Sequence, residues 1–245
     1  MQPQSWQDVV QSELFKKAGA SRLIKADLHI HTCYSIDCLT PLEQIVERCL
    51  EVGIDCVAVA DHNTIAGALQ LKQIAPFEVI VAEEIRTPVG EIMGLFLSEE
   101  VPRGLSPQET ISRIRSQGGL VGIPHPFGRS LLWNSSMLTS TEVVSRVDII
   151  ETFNSRTLFS RSMARAWKLA KDRGKAASAG SDAHTPGEIG RAYVEMPEFD
   201  GPEDFLKALA QGKIFGQKSG SVAHFHSTWA RIRRHVFGGF PQNST

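Results

Sequence analysis

Apolar and polar positions along this chain follow two periods in turn. Short runs of apolar, β-branched or small residues read as strands, and stretches with apolar residues three and four apart read as helices. The first helix is predicted over residues 5–18, where Ser5 precedes WQDVVQSELFKK and Asp8 takes the capping-box position. LIKADLHI follows as a strand. Thr40-Pro41-Leu42-Glu43 combines an N-cap, a proline at N1 and an acid at N3, and opens a helix over LEQIVERCLEV that stops at Gly53. DCVAVA has the small and β-branched character of a buried strand. A helix over TIAGALQLKQIA and a strand over FEVIVA come next. Pro88-Val89-Gly90 is a turn joining that strand to EIMGLFL.

The alternation continues through the second half. Ser106-Pro107-Gln108-Glu109 is another capping box, and its helix ends at Gly118-Gly119. LVGIP is a strand, STEVVSRV a short helix and VDIIETF a strand. The long helix TLFSRSMARAWKLAKDR closes at Gly174, and KAASAG is a strand of small residues. AYVEM and GPEDFLKALAQG add a strand and a last helix. About seven βα steps imply a mainly parallel sheet covered by helices. Polar clusters stand after many different strands, which favours a closed or nearly closed barrel over an open sheet with one switch point. The expected fold is therefore α/β, a closed or nearly closed barrel of about seven βα steps over residues 1–218, with the helix at 5–18 packed on it. Residues 219–245 lose the alternation and form an appended tail.

Composition narrows the class. The 245 residues include 26 Lys+Arg and 27 Asp+Glu, a formal net charge of −1, which offers no support for a large nucleic-acid partner. A nucleotide or short oligonucleotide substrate remains compatible with it. No apolar run approaches the ~18 residues of a membrane span, and residues 1–19 lack a signal-peptide core. Cys33, Cys38, Cys49 and Cys56 share one stretch without zinc-knuckle spacing, as befits reduced thiols of a cytoplasmic protein.

The eight histidines change the picture. Asp27-Leu28-His29-Ile30-His31 and Asp37 follow the first strand. Asp61-His62, Glu83-Glu84, His125, Glu151 and Asp182-Ala183-His184 follow later ones. Residues i and i+2 of a strand share a face, so His29 and His31 reach one point, and Asp182 and His184 mirror them. Pro124 and Pro126 stiffen the backbone around His125. Each piece alone is a weak signal, since an H-x-H pair can sit on an exposed face and a strand-end Asp can cap a helix. Their recurrence at successive strand ends is the signal, because barrel enzymes gather catalytic residues there. So many nitrogen and oxygen donors suit two or three clustered divalent ions sharing a carboxylate, and without cysteine among them they suit Mn, Fe or Zn.

In order and spacing, D-L-H-I-H-T, A-D-H-N-T, the Glu84 strand end, H-P and G-S-D-A-H resemble the polymerase-and-histidinol-phosphatase (PHP) family, from about Ile24 to about Glu195. The resemblance implies a distorted (β/α)7 TIM-like barrel holding a di- or trinuclear site at the C-terminal ends of the strands. It assigns His29, His31, Glu84 and Asp182 to one ion. Glu84 then bridges to a second ion, held also by His125 and Glu151. Asp37, His62 and His184 hold a third. Several members of that family carry His or Cys where Glu151 stands here. Asp61 is either a ligand or an orienting group.

The expected activity is hydrolysis of a phosphate ester of a small metabolite or nucleotide by metal-activated hydroxide, a monoester before a diester. His184 or His62 would protonate the leaving oxygen, with Asp61 beside them in the catalytic set. Arg129 and Arg156, with Asn154, are the candidates for binding the phosphate, and Arg86 and Arg191 are weaker ones. Two alternatives stay open: a nuclease or polymerase-associated editing domain, and a metal-binding regulatory module without turnover. In the tail, His224-Phe225-His226 has no matching ligands around it and is read as packing. The basic run Arg231, Arg233, Arg234 and His235 is read as a solvated helix face, with contact to an anion as the other reading.

Overall fold

The computed structural model of the protein describes residues 22–128, 135–219 and 227–233. The helix expected at 5–18, Arg129, His224, His226, Arg234 and His235 lie outside these residues. The strands are β1 (Leu23–Ile30), β2 (Cys56–Val59), β3 (Glu78–Thr87), β4 (Gly90–Leu95), β5 (Leu120–Ile123), β6 (Ile149–Asn154), β7 (Ala176–Gly180), β8 (Ala192–Pro197) and β9 (Lys213–Gly216). The helices are α1 (Leu42–Val52), α2 (Ala66–Ile74), α3 (Pro107–Ser116), α4 (Ser135–Leu138), α5 (Thr141–Arg146), α6 (Ser160–Asp172) and α7 (Gly201–Gln211). A 3-10 turn spans Pro186–Glu188, and residues 227–233 are helical.

The nine strands form one sheet in the order β7-β6-β5-β4-β3-β2-β1-β8-β9. β1, β2 and β3 pair in parallel, as do β5, β6 and β7. β4 lies antiparallel between the two sets, and β8 and β9 extend the other edge antiparallel. The sheet then curls into a nearly closed barrel. The first half of β1 pairs with β8, while its second half meets the chain just after β7. There Asp182 N–H donates to His29 O at 2.7 Å and His31 N–H donates to Ala183 O at 2.9 Å.

The hairpin at Pro88–Gly90 and the Ser106 capping box form as the sequence predicts: β3 ends at Thr87, β4 starts at Gly90, and Glu109 N–H donates to the Ser106 hydroxyl. Two expectations need correction. Thr40 does not cap α1, which begins after Pro41. Its hydroxyl donates instead to His184 O at 3.0 Å, across the barrel's seam. The parallel βα succession also stops short of β8 and β9. β9 is four residues long and mostly exposed, so it carries no apolar alternation to read.

The core has two layers. Val57, Val59, Val79, Val81, Ile114 and Ile150 pack outward against the helices. Ala58, Ala60, Ala82, Met93 and Leu95 fill the barrel with small and medium side chains. Phe205 of α7 plugs this interior, edge-on to Phe96 and Phe199. In β1, Ala26 and Leu28 belong to the inner layer and Ile30 to the outer. The β1–β2 register shifts between Asp27 and Ile30, and the β6–β7 register between Glu151 and Phe153. Such irregularities re-aim side chains, and both fall beside the polar cluster described next.

Candidate metal centre

The polar residues singled out at the strand ends converge. His29 and His31 leave the end of β1, Glu84 stands on β3, His125 follows β5, and Asp182 and His184 follow β7. Asp37 and His62 come from the loops after β1 and β2. All eight side chains are buried or nearly so. His29 Nε2 and His31 Nε2 lie 3.1 Å apart. Glu84 Oε2 is 3.5 Å from the first and 3.6 Å from the second. Asp182 Oδ1 is 3.4 Å from His31 Nε2. His62 Nδ1 is 3.2 Å from Glu84 Oε2, and its Nε2 is 3.2 Å from Asp37 Oδ2. Asp37 Oδ1 is 3.2 Å from His184 Nε2. His125 Nε2 is 2.9 Å from Glu84 Oε1.

These spacings fit an ion better than a hydrogen-bonded network. Glu84 Oε2 and His184 Nε2 are buried and have no hydrogen-bond partner despite neighbours within 3.2 Å, because the approach angles are wrong. Donor atoms ~2.1 Å from a common ion, at tetrahedral to octahedral angles, stand roughly 3.0–3.4 Å apart, and the distances above, 2.9–3.6 Å, bracket that range. The donors fall into groups whose ligand atoms lie within 4.8 Å of one another. They are His31-Asp37-His62-His184, His29-His31-Asp182, His29-Glu84-His125 and His62-Glu84-Glu91. His29, His31, His62 and Glu84 each belong to two groups, so neighbouring ions would share their surroundings.

Protonation follows the geometry. His184 Nδ1 donates to Asp182 O at 2.8 Å, since a carbonyl only accepts, and its Nε2 faces the cluster. His29 Nδ1 donates to Glu151 Oε1 at 3.0 Å; burial opposes charge on this ring, but the carboxylates of Glu151, Asp182 and Glu84 hold it well above the usual histidine range. Burial, reinforced by His184, pushes His31 down to about 3, which leaves it neutral. Burial opposes charge on His62 as well, but the carboxylates of Glu84 and Asp37 push it up to about 9. Burial also opposes ionisation of Glu84, yet His62 and His29 hold it well below the usual range. Two site residues keep positive φ without being glycine, His125 at 25° and Asp182 at 53°. Such backbone strain concentrates at functional sites.

Three residues expected in the site play other parts. Glu151 accepts from His29 Nδ1 with one oxygen. With the other it accepts from His125 N–H at 2.6 Å and Asn154 Nδ2 at 3.1 Å. Both oxygens are thus committed behind the ligands, and Glu151 joins none of the groups above. Asp61 likewise accepts from Thr32 N–H and Thr32 Oγ1, each at 2.6 Å, and burial raises it to about 6. It braces the loop that carries Asp37 instead of reaching the cluster. Arg156 is buried, and its guanidinium donates to Asp182 O at 3.4 Å and Ser227 Oγ at 2.8 Å. Asn154 donates to Asp182 Oδ2 at 3.2 Å as well as to Glu151.

Sequence reading passed over Glu91, whose Oε1 lies 3.8 Å from His62 Nδ1. The hairpin pairs Arg86 with Glu91 and Glu84 with Met93, so Glu84 and Glu91 share a face. That register was the available signal. Arg231, expected on a solvated helix face, instead donates through Nη2 to Asp37 Oδ2 at 2.7 Å. A cavity of about 790 Å³ opens beside the cluster, lined by Tyr34, Ile36, His62, Asn63 and Arg103 among others.

A barrel with a multi-histidine, multi-carboxylate cradle at its strand ends defines a metal-dependent hydrolase of PHP type. Residues 27–102 match the PHP domain family and residues 161–214 the PHP-associated family. The chain belongs to the PHP family. It is 34% identical over 196 residues to the uncharacterized protein MJ0417 of Methanocaldococcus jannaschii, covering 76% of this chain and 79% of that one. Its fold is similar to a two-domain protein from Bacteroides vulgatus containing a predicted PHP-like metal-dependent phosphoesterase. The TM-score is 0.63 at 17% identity, over 80% of this chain and 66% of that one. It is also similar to the lesion-specific endonuclease PfuEndoQ from Pyrococcus furiosus, with TM-score 0.60 at 19% identity, over 79% of this chain and 58% of the endonuclease. Among the described residues no helix is long and apolar enough to cross a membrane.

Proposed function

We propose that the chain is a metal-dependent phosphoesterase that hydrolyses a phosphomonoester of a small metabolite or nucleotide. One observation carries the reading: overlapping donor groups share His29, His31, His62 and Glu84 at about the spacing of coordination-polyhedron edges. The residues fit two or three divalent ions of Mn, Zn or Fe. His29, His31 and Asp182 with Glu84 would hold one, Asp37, His62 and His184 another, and His125 with Glu84 a third. The chemistry such ions supply is Lewis acidity toward an attacking water and the phosphoryl oxygens.

The chain's own residues do the rest. Glu151 and the Asp182 carbonyl fix the protons of His29 and His184 on the nitrogens turned away from the cluster. His62 lines the cavity between Asp37 and Glu84, on the side of the cluster that a substrate would reach. The cavity has the volume of a small-molecule site, which favours a metabolite or nucleotide over a duplex.

The test is reconstitution with Mn²⁺ after purification without chelator. Metal content is measured by elemental analysis, and turnover is measured on phosphomonoesters, phosphodiesters and cyclic nucleotides. At least two ions per chain and hydrolysis of monoesters are expected, with Glu84→Ala abolishing both. Fewer than two ions, or full activity in Glu84→Ala, would overturn the reading. Cleavage of diesters alone would replace it with the nuclease alternative, and stoichiometric metal without any turnover with the regulatory one.

A further inference from the structure

We propose that Arg231, carried by the helical residues 227–233, binds the phosphoryl oxygens of the substrate, and that the buried Arg156–Ser227 contact holds it in place. The inference rests on the phosphoesterase reading above.

The segment is anchored, not merely adjacent. Ser227 and Ala230 are buried. Ser227 Oγ accepts from Arg156 Nη2 at 2.8 Å, and the Arg156 guanidinium also donates to the carbonyl of Asp182. A residue that follows β6 thus ties the segment to the backbone of a candidate ligand. Four residues on from Ser227, and so on the same helix face, Arg231 reaches Asp37 at 2.7 Å. Its side chain is 57% exposed while that of Asp37 is fully buried, so Arg231 spans from solvent to the cluster and marks the site's mouth. Asp37 Oδ2 also meets His62, which lines the 790 Å³ cavity. Cavity, guanidinium and metal cradle therefore join at one carboxylate.

Charge decides what the guanidinium is for. Asp37, Glu84, Glu91, Glu151 and Asp182 bring five carboxylates to the cluster. Three divalent ions outweigh them, and Arg231 then adds positive charge at the open side. A surplus there attracts an anion. An arginine using one Nη2 on a carboxylate keeps further donors of its planar fork for phosphoryl oxygens, which a lysine does not offer in that geometry.

The experiment uses the full-length, Mn²⁺-loaded protein and inorganic phosphate as the probe. Arg231→Met, Arg231→Lys and Ser227→Val are compared with wild type by metal content, by calorimetric phosphate affinity and by KM and kcat. Arg231→Met is expected to keep its manganese and lose phosphate affinity roughly 10- to 100-fold, as for a lost charge-assisted hydrogen bond. KM should rise in step, Arg231→Lys should fall in between, and Ser227→Val should shift affinity the same way. Unchanged phosphate affinity in Arg231→Met would overturn the proposal. So would loss of manganese, which would make Arg231 a positioning residue for Asp37, and so would faster turnover, which would make the segment an inhibitory latch. A wild-type protein that takes up manganese but binds no phosphate would overturn the phosphoesterase reading along with this one and leave the metal centre standing.

Discussion

Glu151 shows how two roles look alike in sequence. A carboxylate at a strand end among histidines reads as a ligand, and family resemblance placed it on an ion. In the folded chain its two oxygens face His29 Nδ1–H and His125 N–H, so it acts through the histidines. What the sequence lacked was the direction of the side chain, which the register shift in β6 sets. Glu151→Gln should therefore fold and still bind metal, but more weakly. A glutamine has one acceptor oxygen for two N–H groups and must turn its amide on one of them. A loss of about 10- to 100-fold in Mn²⁺ affinity is expected, the usual cost of an orienting partner, read by metal titration. Complete loss of one equivalent of metal would restore Glu151 to the ligands. The other donors were legible as a set, from their recurrence at successive strand ends, although His31, Asp182 and His184 lie just past their strands and Asp182 has a φ of 53° that no strand alternation foretells. Arg231 was not, since its position depends on where a segment beyond the alternating pattern comes to rest.

At the level of the element, β7 carries the sharpest constraint. KAASAG was readable as a strand, and its small residues looked like generic packing. The reason for them is β1: a Cβ on Gly180 would overlap the Cβ of His29 and press on its backbone N. Gly180 allows the two chain segments to approach until Asp182 N–H reaches His29 O. Gly180→Ala is expected to cost about 1–3 kcal/mol by overpacking, measured by denaturant unfolding, and to displace His29 enough to lower metal content. Wild-type stability together with full metal uptake would show that β1 can yield at that point. Of the elements, the parallel strands and capped helices were legible because each has a long periodic signal or a cap. β8 was legible as a strand but its antiparallel pairing was not, because partners are chosen by tertiary contact, and β9, no shorter than β2 and β5, lacks the buried apolar run that revealed those two.

For the molecule as a whole, the cluster ties stability to pH and to metal in opposite senses. Without metal, His62 has a pKa of about 9 against an ordinary 6.5. Its contribution is fully present below 6.5 and is lost as pH rises through 9. Buried Asp27 and Asp61, each raised to about 6, lose theirs as pH rises through 6. Asp37 and Glu84 are depressed, so their contribution is lost only as pH falls below the ordinary carboxylate range. The chelated protein should thus melt highest in mildly acidic buffer and at lower temperature by pH 9. Metal binding must expel the His62 proton, so affinity for Mn²⁺ grows with pH and the loaded protein should resist that decline. Melting curves from pH 5 to 9, with chelator and with Mn²⁺, read the difference, and parallel slopes would count against the cluster. The barrel's seam has a kinetic counterpart. Asp27 and Ser181 meet across it although 154 positions separate them, and so do His31 and Ala183. Contacts so distant in sequence form late, since closing a long loop comes before any reward. An ion held by His31 on one lip and by Asp182 or His184 on the other would fasten the last step of folding, much as a crosslink closes a loop of that length. Refolding of the apo chain should then stall with its wall open, and added metal should complete it.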